Sequence, residues 1–255
     1  MQLIPTLHAD PAALAESYQD AAPFPHVVID NLFDDADLKR VLEVFPAPED
    51  MPWRQFDSGH EKKLGYWHTN TVAPAIWDFL QAMNAPPMLA FLETLTGING
   101  LIPDPYFGGA GLHQILPGGF LKVHVDFNRH PKLKLDRRLN MLIYLNEDWQ
   151  DAWGGHLELW DGGITRCHEK IAPVFNRTVI FSTTDQSYHG HPHALQCPEG
   201  HSRKSLSFIT TPTAGRPMNS HRTTTPCSEL HRTSADKISL SPSSAFDYLG
   251  RHELA

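Results

Sequence analysis

A chain of 255 residues that is 41% hydrophobic and 10% aromatic is sized for one large domain with embellishments, and it excludes a wholly disordered protein. The formal charge of −8 argues against a nucleic-acid partner held by counterion release. Cys167, Cys197 and Cys227 are odd in number and form no CxxC pair, so neither a disulfide framework nor a cysteine zinc site is expected. Residues 1–20 lack a basic leader followed by an apolar run, and no stretch reaches the roughly 18 apolar residues of a spanning helix. The expectation is a cytoplasmic protein with no membrane partner. Oligomeric state is not legible.

Residues 1–22 suggest a weak leading helix or arm, with Pro11 in a first-turn position. Residues 24–30 predict a short strand. Asp34 then caps a helix whose Leu38, Val41, Leu42 and Phe45 follow helical spacing, stopped by Pro46 and Pro48. Residues 49–70 carry Trp53, Phe56, Tyr66 and Trp67 among polar residues and predict irregular structure or an edge hairpin. Pro74 opens a second helix through Ile76, Trp77, Leu80 and Met83. Met88, Phe91, Leu92 and Leu95 mark a third, closed by Gly97. These helices carry no chemistry and serve as buttresses.

From Gly111 onward the pattern becomes short strands separated by turns: 112–116, 120–125, 139–146, 156–160, 169–174, 177–182 and 203–210. Many short strands without intervening helices imply a mainly β, α+β protein with a sandwich or jelly-roll core. The organisation expected is a support region at 1–104, a core at 105–212 and a tail at 213–255, which serves as a lid or is partly disordered. The tail's Ser, Thr, Pro, Arg and His content leaves it few large apolar residues.

Within the core, His124-Val125-Asp126 lies on a predicted strand, where alternation puts the imidazole and the carboxylate on one face. Alone, the pair is more economically a surface hydrogen bond. Its meaning comes from the later chain, which supplies a basic loop, a Gly154-Gly155 turn, a histidine cluster and then an arginine. A second histidine would complete two nitrogens and one oxygen around a metal, the facial arrangement of non-heme Fe(II) oxygenases. His189, His191 and His193 all have the alternation required. His189 is favoured because it directly follows a strand and short turn, whereas His191 and His193 flank Pro192 in a loop-like segment. Arg203 opens a strand on which Ser205 and Ser207 share its face while Leu206 and Phe208 take the other. A polar row on an inner strand needs buried partners, and a dicarboxylate would supply them. Tyr144, with Asn140 and Leu142 on its face, could donate to the same carboxylate; an ordinary core tyrosine is the alternative.

These motifs, with Tyr144-Leu145-Asn146-Glu147-Asp148-Trp149, Gly154-Gly155-His156-Leu157-Glu158-Leu159, Ala172-Pro173-Val174-Phe175-Asn176-Arg177, Ser187-Tyr188-His189-Gly190 and Arg203-Lys204-Ser205-Leu206, resemble the prolyl-4-hydroxylase-like branch of the Fe(II)/2-oxoglutarate-dependent dioxygenases. The resemblance covers residues 105–212. It implies a double-stranded β-helix, His124, Asp126 and His189 as iron ligands, and Arg203 on the distal carboxylate of 2-oxoglutarate with Tyr144 and Ser207 assisting. It further implies Fe(II), 2-oxoglutarate as co-substrate and O2, with ascorbate as an optional stimulant. The reaction implied is hydroxylation of an unactivated C–H bond, releasing succinate and CO2. The substrate would be an amino-acid, peptidyl (prolyl included) or small-metabolite molecule. Two features depart from the pattern. Arg203 stands 14 residues after His189, later than the family's usual spacing, and the strand before the His-x-Asp pair lacks the tyrosine common in relatives. Gln114, or His113, is expected to replace that tyrosine. Arg129 and Trp67 are candidates for substrate contact. A non-catalytic jelly-roll binding module and a cupin-type metal enzyme without 2-oxoglutarate remain the competing readings.

Overall fold

The computed structural model describes residues 6–212 except 69, 70, 108 and 131; the 213–255 tail lies outside the described residues. Four helices precede most of the sheet: α1 (Pro11–Asp20), α2 (Asp35–Glu43), α3 (Pro74–Met83) and α4 (Pro86–Thr96). Their starts follow the sequence signals. Asp10 and Asp34 accept hydrogen bonds from the backbone N–H of Ala12 and Ala36, while proline opens α1, α3 and α4. Gly97 closes α4 in a left-handed conformation, φ 68°, which costs a residue without Cβ little. None of the described helices is long and apolar enough to cross a membrane.

The strands are β1 (His26–Asp30), β2 (Arg54–Asp57), β3 (Glu61–Tyr66), β4 (Leu101–Ile102), β5 (Gly111–Ile115), β6 (Phe120–His124), β7 (Leu139–Tyr144), β8 (Leu157–Trp160), β9 (Cys167–Ile171), β10 (Arg177–Ser182), β11 (Tyr188–His191) and β12 (Arg203–Pro212). All described pairings are antiparallel. Along the sheet the order is β1-β10-β7-β12-β5-β3-β6-β11-β8-β9, with β2 on β3 and β4 on β12. Strands β10, β7, β12 and β5 make one layer and β6, β11, β8 and β9 the other, the interleaving of a jelly-roll or double-stranded β-helix. Within the stretch expected as irregular structure or an edge hairpin, β2 and β3 do form a hairpin, but β3 is no edge. It pairs with β5 on one side and β6 on the other, joining the two layers.

Alternation along β7 explains why it is apolar almost throughout. Leu139, Met141 and Ile143 face a core shared with the helices, where Phe79, Leu80 and Leu92 pack. Leu142 and Tyr144 turn inward to meet Leu157, Leu159, Val179 and Phe181 between the layers. One face is thus buttressed by helices, and the other lines a barrel interior. The strand expected at 169–174 instead runs over β9, because its pairing to β8 aligns Leu157 with Ile171 and Trp160 with Cys167. The segment around His191 is also not a loop. Residues Tyr188–His191 are a strand held between β6 and β8.

Candidate active site

Two neighbouring strands of one layer present the histidines. His189 on β11 is the direct register partner of His124 on β6, so both rings emerge on one face, with centroids 4.5 Å apart. Between His189 and His191 the register shifts: His191 aligns with Leu121, so β6 carries an extra residue there. Such a bulge re-aims side chains next to a site. Asp126 follows β6 by two residues. Its Oδ1 lies 3.5 Å from His124 Nε2 and its Oδ2 3.9 Å from His189 Nε2. One ligand atom from each of the three lies within 4.8 Å of the others.

The chemistry of these atoms fits a divalent metal. Each histidine directs Nδ1 at a main-chain carbonyl two residues back, His124 to Lys122 O and His189 to Ser187 O, both at 2.9 Å. A carbonyl only accepts, so Nδ1 carries the hydrogen and Nε2 keeps its lone pair for the shared centre. Burial, and then the neighbouring His124, pushes the His189 ring down to about 4 and keeps it neutral. Burial works to raise the Asp126 carboxyl, but at the acid pH where it would titrate the then-protonated His189, together with Arg137, outweighs it and holds the group well below the usual carboxylate range. Two imidazole nitrogens and one carboxylate with open positions are the donor set suited to non-heme Fe(II).

Residues outside the triad hold it in place. Asn140 Nδ2 donates to Asp126 Oδ2 at 2.7 Å, and its own Oδ1 lies 3.4 Å from Ser207 Oγ. Ser207 therefore sits on the expected face, but its partner is Asn140. Arg137, counted in the sequence as part of a basic loop, is only 1% exposed. It stacks 3.6 Å from the Phe127 ring centroid, and its charge acts on Asp126. His130 of the same loop is likewise buried, with Nε2 3.4 Å from Asp104 Oδ1. A polar residue within an apolar strand was the signal for Asn140; nothing local distinguished Arg137 from its solvated neighbours.

Deeper in the interior, Arg203 is 4% exposed. Its Nε donates to Gly155 O at 2.8 Å and its Nη2 to the Tyr144 hydroxyl at 3.1 Å, with the guanidinium carbon 4.8 Å from the Tyr144 ring centroid. Burial pushes the Tyr144 hydroxyl up, and Arg203 partly offsets this. Among the described residues no carboxylate lies within ion-pair reach of Arg203, leaving a buried cation that favours an anionic ligand.

Gln114 does not join this group. It pairs with Lys204, whereas Arg203, Ser205 and Ser207 pair with Ile115, His113 and Gly111. Gln114 therefore occupies the opposite face of β5, where its Nε2 donates to Ser202 Oγ at 2.9 Å. The inward residue is His113. Burial, with Lys63 and Arg203 adding to it and Asp126 opposing, pushes its ring down to about 3. Trp67 packs at the margin of the helix-side core with the Arg54 guanidinium carbon 5.4 Å from its ring centroid. Arg129 bridges to Asp136 across the neck of its loop.

Residues 110–210 match the family model of the 2OG-Fe(II) oxygenase superfamily. No curated protein matches the whole sequence significantly. The fold is similar to that of a Pseudomonas putida prolyl-4-hydroxylase, at TM-score 0.57 and 18% identity over 81% of this chain and 100% of that one. It is similar also to a Trichoplax adhaerens prolyl hydroxylase solved with a hypoxia inducible factor oxygen degradation domain peptide, at 0.57 and 16% over 79% and 89%. A 2OG-Fe(II) oxygenase-family oxidoreductase from Burkholderia pseudomallei matches at 0.51 and 15% over 80% and 91%. Over residues 110–210 the 2OG-Fe(II) oxygenase match, the jelly-roll fold shared with prolyl hydroxylases and the His124–Asp126–His189 donor set agree, and together they indicate a dioxygenase core that uses Fe(II), 2-oxoglutarate and O2.

Proposed function

We propose that the enzyme hydroxylates an unactivated C–H bond of a peptidyl or small amino-acid-like substrate, releasing succinate and CO2. The observation that carries this reading is that the His124–Asp126–His189 set and the carboxylate-free cation Arg203 face the same barrel interior. His124, Asp126 and His189 would hold Fe(II). When bound together, Fe(II), 2-oxoglutarate and O2 supply an oxidative decarboxylation whose product oxidant inserts one oxygen atom into the C–H bond. Arg203 would receive the distal carboxylate as a charge-assisted hydrogen bond, with Tyr144 beside it as a second donor. Leu142, Leu157, Leu159, Val179 and Phe181 keep that part of the barrel dry, which strengthens each electrostatic contact inside it. Asp126, fixed by Asn140, keeps a carboxylate in the position that a halogenating enzyme would need for halide, which favours hydroxylation.

A peptidyl substrate is supported by the Trichoplax relative, whose structure contains a peptide fragment. A reducing cytoplasmic setting is part of the same reading; it agrees with Cys167 and Cys197 being free thiols. The deciding experiment is an anaerobic titration of metal-free protein with Fe(II) and 2-oxoglutarate, following the weak visible charge-transfer band of the chelate. The band should form in wild type and vanish in Asp126→Ala. Arg203→Ala should shift the 2-oxoglutarate requirement upward by about tenfold to a hundredfold. Iron binding without any band would reject 2-oxoglutarate as co-substrate. Proline-containing peptides and free amino acids, compared by succinate release, then separate the substrate classes.

A further inference from the structure

The barrel interior holds a polar side chain that neither the candidate iron ligands nor the Arg203–Tyr144 pair explains. His191 is 3% exposed, and neither of its ring nitrogens has a hydrogen-bond partner among the described residues. It shares the inner face of β11 with His189, since Gly190 between them is turned against the Leu121 and Lys122 carbonyls. A neutral imidazole brings one N–H and one lone pair, and burying both without partners costs stability that a leucine would not forfeit. Leucine is what the next strand uses inside the barrel, at Leu157 and Leu159. The charged groups that act on His191 are Arg203, Lys63 and His124. The ring therefore lies within electrostatic reach of both the buried cation Arg203 and the candidate iron ligand His124.

We propose that His191 is a co-substrate-binding residue of this enzyme, whose N–H donates to the distal carboxylate of 2-oxoglutarate alongside Arg203. The inference rests on the 2-oxoglutarate reading and adds to it a determinant of selectivity. Arg203 attracts any anion, whereas a further donor from β11 requires a carboxylate at one distance from the metal. The pocket would then discriminate sharply against 2-oxo acids that lack the far carboxylate.

The test uses the full chain under anaerobic conditions with Fe(II), titrated with 2-oxoglutarate and with 2-oxopentanoate, which has a methyl group in place of that carboxylate. His191→Leu should weaken 2-oxoglutarate binding about tenfold or more. It should change 2-oxopentanoate and Fe(II) affinity by no more than about threefold, because the lost contact belongs to one end of one ligand. His191→Asn, which keeps an N–H donor, should fall between wild type and His191→Leu, and it makes the same comparison if the leucine variant does not fold. Unchanged 2-oxoglutarate binding, or equal weakening of both ligands, overturns the proposal while leaving the activity reading intact. A wild type that binds Fe(II) but not 2-oxoglutarate rejects both.

Discussion

Asn140 is a single side chain that fixes the carboxylate of the candidate metal site. Its amide occupies one oxygen of Asp126, leaving the other toward His124, and Ser207 lies beside the amide oxygen. Outer partners of this kind commonly set metal affinity by about 10–100-fold. Asn140→Leu is expected to weaken Fe(II) binding in that range while the folded circular-dichroism signal persists; Ser207→Ala should have a smaller effect in the same direction. His113 makes a prediction about acid stability. Its ring is pushed from the ordinary 6.5 down to about 3, so below about pH 6.5 the unfolded chain binds a proton that the folded chain refuses. The stabilisation is full above that pH and is lost progressively as the pH falls toward about 3. In metal-free protein, the urea midpoint should drop across this window, and His113→Gln should flatten part of that drop. A variant whose acid limb matched wild type would show that His113 does not contribute.

At the scale of elements, β11 and its bulged partner β6 decide whether the two histidines meet. A Cβ at Gly190 would lie 2.8 Å from Leu121 O and 2.9 Å from Lys122 O. Any larger residue must push these strands apart and separate His189 from His124. Gly190→Val is expected to reduce Fe(II) affinity by about tenfold or more, since ligand geometry tolerates only about half an ångström; anaerobic iron titration measures it. The four-residue β11 was hidden in the sequence because Tyr188-His189-Gly190-His191 has no hydrophobic alternation of its own. Its strand character comes from being clamped between β6 and β8. β3 was half-legible for a related reason: residues 49–70 allowed irregular structure or an edge hairpin, but only long-range pairing reveals that both sides of β3 are occupied.

Across the whole molecule, the helices brace one layer of the barrel without touching the candidate chemistry. Phe79 on α3 is fully buried, edge-on to Phe33 at 5.3 Å between ring centroids. Phe79→Ala should lower unfolding stability by about 3–5 kcal/mol, while Fe(II) affinity of the remaining folded protein stays within about twofold. A parallel loss of iron affinity would mean that the helical buttress also sets the site.

The sequence by itself determined the elements whose signals are local: capped helices at Asp34 and Gly97, the alternation of β7 and β12, and a His-x-Asp pair at a strand, with an arginine on another; β6 ends at His124, so Asp126 lies just past the strand rather than on it. It placed Arg203 and Tyr144 on inward faces because period-two geometry is a property of each strand alone. Only the tertiary structure decided that Gln114 faces outward and His113 inward, since the register of β5 against β12 is set by pairing across nearly a hundred residues. The same holds for Arg137 and His191. Each has the composition of a surface or loop residue, and each is buried because distant strands and loops close over it, where desolvation and neighbouring charge give it its character.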